Sequence, residues 1–284
     1  DVGDYHKAIS FHMQALTIIE KISGKKNKEY ARYLNNTAND YRGIADYKKS
    51  ESLYLEAINI RGEILGVEHS EYATSLHDYS NLLRNEGNYE KAESLLLKVV
   101  TIREGKLGKK HPDYATALNN LAGLYAEIGN YDKSLSLYLE AKEIRARVLG
   151  EEHPDYAASL NNLANFFRDK GDYAESEPLY IRAIEIRGKS LGKAHPDYAN
   201  SLANLAILYK AMGNYEKAEI LILEAKDIRA KKFGTEHFQY AASLNDLANL
   251  YKIEEDYTKA EPMYLEALNI LEKTLGKEHS IYAI

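Results

Sequence analysis

Histidine stands at His69, His111, His153, His195, His237 and His279, each 42 residues after the one before. Imidazole ligates metals and carries protons near neutral pH, so this column is the first place to look for chemistry. Zinc requires its ligands within about 2 Å of one centre, whereas successive histidines lie a whole structural unit apart. Helix capping or loop packing is the expected role. Gly188-Lys189-Ser190 has the ending of a phosphate-binding loop, but Ala183 stands where an earlier glycine is required, and the segment lies inside a helix. Ser75, His77 and Asp78 are near neighbours on one helix and point in different directions, which rules out a proton relay. The absence of cysteine removes disulfides and thiolate nucleophiles. Neither a catalytic constellation nor a metal or cofactor site is expected, and the chain reads as a non-enzyme.

A different set of residues points to binding. Asn119, Gly123 and Ala126 fall within a narrow arc of one helix, roughly 120° from its apolar stripe. The same three places elsewhere in the chain are Asn35, Asn39 and Arg42; His77, Asn81 and Arg84; Asn161, Asn165 and Arg168; Ala203, Ile207 and Lys210; and Asn245, Asn249 and Lys252. Amides thus run beside cations, and the stripe itself contains no carboxylate although the chain carries a net charge of −6. An asparagine side chain both donates and accepts, so it can pair with the backbone of an extended peptide of any sequence. Arginine and lysine add charge-assisted bonds to carboxylate or phosphate. A plainer reading competes: the asparagines form a structural ladder between neighbouring helices, especially Asn36, Asn120, Asn162 and Asn204, and the cations form a solvated face. Ala203 and Ile207 interrupt the polar column and suggest an apolar pocket there.

The elements that position these groups are helices. From Asp113 to Ile128 the residues Leu118, Leu121, Ala122 and Tyr125 follow the spacing of one helical face. Pro112 suits the first turn and Asp113 the positive end of the helix dipole. Gly129-Asn130 breaks the helix. A second one starts near Tyr131, carries Leu135, Tyr138, Leu139, Ala141, Ile144 and Leu149 on its apolar side, and stops at Gly150. Gly24, Gly66, Gly108, Gly192, Gly234 and Gly276 hold that last place in the other units, and Tyr5, Tyr47, Tyr89, Tyr173, Tyr215 and Tyr257 open the other second helices. Small residues such as Ser50, Ala92, Ser134 and Ala183 let the paired helices approach closely. Pro178 and Pro262 fall early in second helices, where a local adjustment is expected. Each hairpin has two apolar faces that it cannot bury alone, so hairpins must stack. The expected divisions are a half repeat at 1–26, six repeats at 27–68, 69–110, 111–152, 153–194, 195–236 and 237–278, and the start of another at 279–284. A chain opening midway through a unit and closing just inside the next reads as part of a longer protein.

Composition agrees with an ordinary globular balance, 45% hydrophobic and 28% charged. An acidic chain offers no overall nucleic-acid surface. No apolar run approaches the roughly 18 residues of a membrane span, and a cytoplasmic protein is the expectation.

Leu118, Leu121-Ala122, Tyr125, Gly129, Tyr131, Ser134, Tyr138 and Ala141 resemble the tetratricopeptide repeat pattern, lengthened in the second helix to 42 residues. The phrase His-Pro-Asp-Tyr-Ala, followed by Leu-Asn-Asn-Leu-Ala and a closing Leu-Gly, is similar to the kinesin-light-chain type of repeat. The resemblance covers nearly the whole chain. It implies an all-α fold: a right-handed α-solenoid, or superhelix, of stacked antiparallel helical hairpins whose first helices line a concave groove. It also implies a protein–protein interaction scaffold holding an extended peptide, with an acidic segment favoured by the cation column. With helices roughly 8–10 Å apart and a strand advancing roughly 3.3 Å per residue, each helix step spans about three peptide residues. The alternative is a regulatory array of a larger enzyme, since similar arrays are joined to caspase-like or NTPase modules. Self-association through uncapped ends is a further expected contact.

Overall fold

The computed structural model describes residues 5–275, and among them the chain is helical with no strand. The helices are α1 (Tyr5–Ser23), α2 (Lys28–Gly43), α3 (Tyr47–Leu65), α4 (Ser70–Asn85), α5 (Tyr89–Leu107), α6 (Pro112–Glu127) and α7 (Tyr131–Leu149). They continue with α8 (Pro154–Lys170), α9 (Tyr173–Ser190), α10 (Pro196–Ala211), α11 (Tyr215–Phe233), α12 (Phe238–Ile253) and α13 (Tyr257–Leu275). Tyrosine opens every odd-numbered helix. His279, Gly276 and the stub at 279–284 lie outside the described residues.

Local chemistry explains these boundaries. The imidazole Nδ1 of His111, His153 and His195 accepts the backbone N–H two residues on at 3.1 Å, and those of His69 and His237 at 3.2 Å. The described part of the histidine column therefore caps even-numbered helices, satisfying a donor that the first turn leaves open. Gly66 closes α3 at φ 89° and ψ 154°, a region that side chains avoid. Gly171 closes α8 in the left-handed conformation, and Ala45 and Glu255 take positive φ at the corresponding turns. Helices α9 and α13 run through Pro178 and Pro262 without interruption.

The described residues divide inside α7 into two compact units, 5–137 and 138–275. In the first, each odd-numbered helix packs on the even-numbered helices beside it. Its core gathers Ala38, Tyr54, Leu82, Leu83, Ala92, Leu96, Leu121 and Leu124. A second cluster holds Leu16, Tyr30, Leu34, Ala57 and Ile60. In the second unit the main cluster is Ala164, Tyr180, Leu205, Leu208, Ile222, Leu247 and Leu250. Small residues bring the helices of a hairpin close. Ser50 donates to the Ala38 carbonyl, Ser134 to that of Ala122 and Ser176 to that of Ala164, each at 2.8 Å. Each unit is thus a stack of antiparallel helical hairpins, the all-α solenoid expected from the repeat. α2 packs on α4, and α8 on α10, so first helices lie side by side within each unit.

Candidate peptide-binding face

Two buried amides of the column, Asn35 and Asn161, sit in the seam between first helices. Asn35, Asn119 and Asn161 are 3%, 5% and 7% exposed, and Ala203 occupies the same buried place in α10. Asn35 donates to Asp78 Oδ2 across α2 and α4 at 2.7 Å and accepts from Ser75 Oγ at 2.7 Å. Asn204 donates to Asn161 Oδ1 across α8 and α10 at 3.2 Å. Asn245 is half-buried in α12. A helical wheel places these residues at the flank of the core; only the neighbouring hairpin turns that flank into a seam.

The next amides are organised from behind by tyrosines of the second helix. Tyr54 donates to Asn39 Oδ1 at 2.7 Å and Tyr264 to Asn249 Oδ1 at 2.8 Å; Tyr180 makes the same bond to Asn165. Arg168 Nη1 also donates to Asn165 Oδ1, at 3.2 Å. Oxygens committed to these donors leave the amide N–H groups of Asn165 and Asn249 for the open side. Burial pushes the hydroxyls of Tyr54 and Tyr180 up to about 12, so they remain donors at any physiological pH. Leu96 stands at the tyrosine place behind Asn81, which pairs with His77 and Arg84, and Ile222 accompanies Ile207.

The cations lie at the far ends of the first helices. In the first unit Arg42, Asn81, Arg84, Asn85, Tyr89 and Glu127 line a cleft of about 360 Å³. Arg84 meets the Glu127 carboxylate with both Nε and Nη2, Nε at 3.0 Å. Arg42 leans on Asn39 at 3.5 Å. In the second unit Arg168 pairs with Asp169 at 2.8 Å, Lys210 is half-buried, and Lys252 is exposed. Ile207 is 37% exposed between these polar rows. The stripe itself lacks carboxylates, yet Glu127 and Asp169 beside it already engage two of its five cations.

Two carboxylates at one repeat register behave oppositely. Burial alone would raise Asp78, but hydrogen bonds from His77, Asn35 and Asn39 outweigh it and hold the carboxyl below its usual range. Asp246, its counterpart in α12, is raised by burial, which Arg229 and Lys210 only partly offset. A depressed carboxyl contributes stability above its unfolded pKa and loses it as pH falls through the folded value; a raised one is favourable at low pH and turns costly as pH rises through its folded value. Asp78→Asn is expected to destabilise by about 1–3 kcal/mol at pH 7, the scale of hydrogen bonds to a charged acceptor. Asp246→Asn is expected to raise the melting temperature at pH 7, with the gain vanishing below about pH 4. Thermal melts of both variants at the two pH values check the opposite signs. His77 Nδ1 lies 3.3 Å from Asp78 Oδ1, closer than the wheel implies, while Ser75 donates to Asn35 and takes no part in a relay.

Two sets of polar residues escape a reading made one repeat at a time. Arg61, Arg103, Arg145 and Arg187 each donate from a second helix to the backbone carbonyl ten residues on, at 2.9–3.1 Å. Arg61, Arg145, Arg187 and Arg229 also reach a serine hydroxyl fourteen residues on: Ser75, Ser159, Ser201 and Ser243. Tyr125 and Tyr209 donate back to Glu93 and Glu177 at 2.7 Å, and Tyr251 reaches Glu219. The signal was present as fixed spacings of 14 and 32 residues between polar partners, visible only when consecutive repeats are aligned together.

A tetratricopeptide repeat profile matches residues 1–63, 38–105, 71–145, 113–166, 155–231 and 203–273. Among solved structures, BtubC (BKLC) from P. vanneervenii superposes with a TM-score of 0.63 at 24% identity, covering 81% of this chain and 92% of that one. The nearly identical TPR-like repeats of a Podosopora anserina kinesin light chain give 0.57 at 28% identity, with 73% and 98% covered. The apo form of RapI gives 0.63 at 18%, covering 95% and 93%, a likeness of fold alone. No match is found among curated proteins. Six overlapping profile matches on paired helices of fixed period place this chain in the tetratricopeptide repeat family, with repeats like those of kinesin light chains.

Proposed function

We propose that this array holds an extended, acidic segment of a partner protein against the first-helix face of its units. Tetratricopeptide repeat arrays are in general protein-interaction scaffolds and typically non-catalytic. The observation that carries the acidic specificity is the polarity of the open groups. The oxygens of Asn165 and Asn249 are taken by tyrosine hydroxyls, so the face offers their amide N–H groups beside the cations. A surface of donors is matched by acceptors: peptide carbonyls along the amides and carboxylates at the cations. Glu127 already fills the Arg84 fork, so a ligand carboxylate binds there by displacing it.

The test is selection from a degenerate acidic peptide library by the wild-type chain and by Arg84→Glu with Arg168→Glu. Loss of two charge-assisted contacts is expected to weaken the selected peptides at least about tenfold. Binding should also weaken as salt rises, since Arg84 and Arg168 are only partly buried. If the double variant selects the same peptides with the same affinity, the assignment of this face fails.

A further inference from the structure

One register of the second helices carries a large apolar side chain in every hairpin and buries none of them. In the first unit it holds Met13, Leu55 and Leu97; in the second it holds Leu139, Ile181, Leu223 and Leu265. Their exposures run from 36% to 60%. Each follows by one residue the position of a buried hairpin residue such as Tyr138, Tyr180 or Ile222, so it lies about 100° around the helix from that residue. Single exposed leucines are ordinary; the same exposed register in seven consecutive second helices is not.

The two units differ in what surrounds the stripe. Four residues after the apolar residue, the first unit has Thr17, Asn59 and Thr101, whereas the second has Glu143, Glu185 and Asp227, with Asn269 after Leu265. Immediately after it, the second unit adds Glu140, Glu224 and Glu266, where the first has Gln14, Glu56 and Lys98. All six of the second unit's acids are exposed. Arg182, the exception at that place, is bound to Glu152 and Glu185, and Arg147 to Glu143. Ile220, 59% exposed, lies one turn before Leu223 and widens the apolar strip on α11.

We infer that the second-helix face of the 138–275 unit is a docking surface for a basic amphipathic helix of a partner protein, separate from the first-helix face. Apolar side chains of that helix cover the leucine and isoleucine stripe, and its lysines and arginines meet the acidic row. A second copy of this chain would bring the same acids into apposition, and an anionic membrane would be repelled by them.

The experiment uses the full chain and two labelled probes, a designed amphipathic helix of leucine and lysine and its leucine–glutamate counterpart. Fluorescence anisotropy should show the lysine probe binding and the glutamate probe not binding. Ile181→Asp with Leu223→Asp is expected to weaken the lysine probe about tenfold, as removal of central anchors does. Leu55→Asp with Leu97→Asp, the same change on the first unit, should leave it within a factor of about two. Circular dichroism establishes that the variants are folded. Equal loss from both pairs, no loss from the first pair, or equal binding of the glutamate probe would overturn the inference. So would a wild-type dimer in sedimentation that Ile181→Asp with Leu223→Asp abolishes, because a second copy would then own the face. Groove variants at Arg84 and Arg168 should not change this binding, which separates its failure from that of the proposed groove.

Discussion

Tyr180→Ala is expected to destabilise the protein by about 3–5 kcal/mol, the range for deleting a buried aromatic ring. Tyr180 is fully buried and packs in the main cluster of the second unit, among Ala164, Leu205, Leu208 and Ile222. In a close-packed interior the surrounding side chains refill such a space only in part. Its hydroxyl also bonds to Asn165 and accepts from Arg168 Nη1 at 3.1 Å, so truncation releases two residues of the proposed binding face. Tyr180→Phe keeps the ring and removes only the hydroxyl, at about 1 kcal/mol. The comparison separates packing from polar positioning, and chemical denaturation of both variants measures it. Stacked hairpins couple mainly to their neighbours, so hydrogen exchange should rise first in α8 to α11. A loss for Tyr180→Ala no larger than for Tyr180→Phe would refute the packing account.

Arg61→Ala is expected to cost about 2–4 kcal/mol, by leaving buried acceptors without a donor. Arg61 is 4% exposed and lies at the end of α3, where one nitrogen donates to the Glu71 carbonyl at 2.9 Å and to Ser75 Oγ at 2.6 Å. Ser75 in turn donates to Asn35, which donates to Asp78. One guanidinium therefore orders a polar chain joining α2, α3 and α4. Burial lowers the Arg61 pKa, but a guanidinium stays charged across the working range. Arg61→Lys should recover little, because a single ammonium cannot reproduce the planar fork. The repeat supplies its own control: Arg103 occupies the same register, donates to the Asp113 carbonyl at 2.9 Å, and has Ala117 where Arg61 has Ser75. Arg103→Ala should cost about 1 kcal/mol, one ordinary hydrogen bond. Equal losses at Arg61 and Arg103 in urea titrations would remove the serine chain from the explanation.

Opposite behaviour at equivalent registers shows where sequence reasoning stops. Asp78 and Asp246 share one place in the repeat, and nothing about that place distinguishes them. The difference comes from His77, Asn35 and Asn39 around the first and burial without matching donors around the second. Likewise the face carrying Asn35, Asn39 and Arg42 was legible as one polar arc, but not its division. Asn35 is spent in the seam, Asn39 is turned by Tyr54, and Arg42 reaches the cleft. The apolar register of Met13, Leu55 and Leu97 was equally present in the sequence, and periodicity alone does not reveal that it is left uncovered.

What the amino-acid sequence determined by itself is the hairpin and its repetition. A turn that needs glycine, a capping histidine and an apolar spacing of 3.6 residues act within a few residues of one another, and each recurs every 42. What only the tertiary structure decided is which polar groups are consumed in holding hairpins together and which stay available. Those pairings join residues 14, 32 or 43 positions apart across helices, so their geometry depends on how neighbouring hairpins cross. A wheel drawn for one helix does not contain its neighbour.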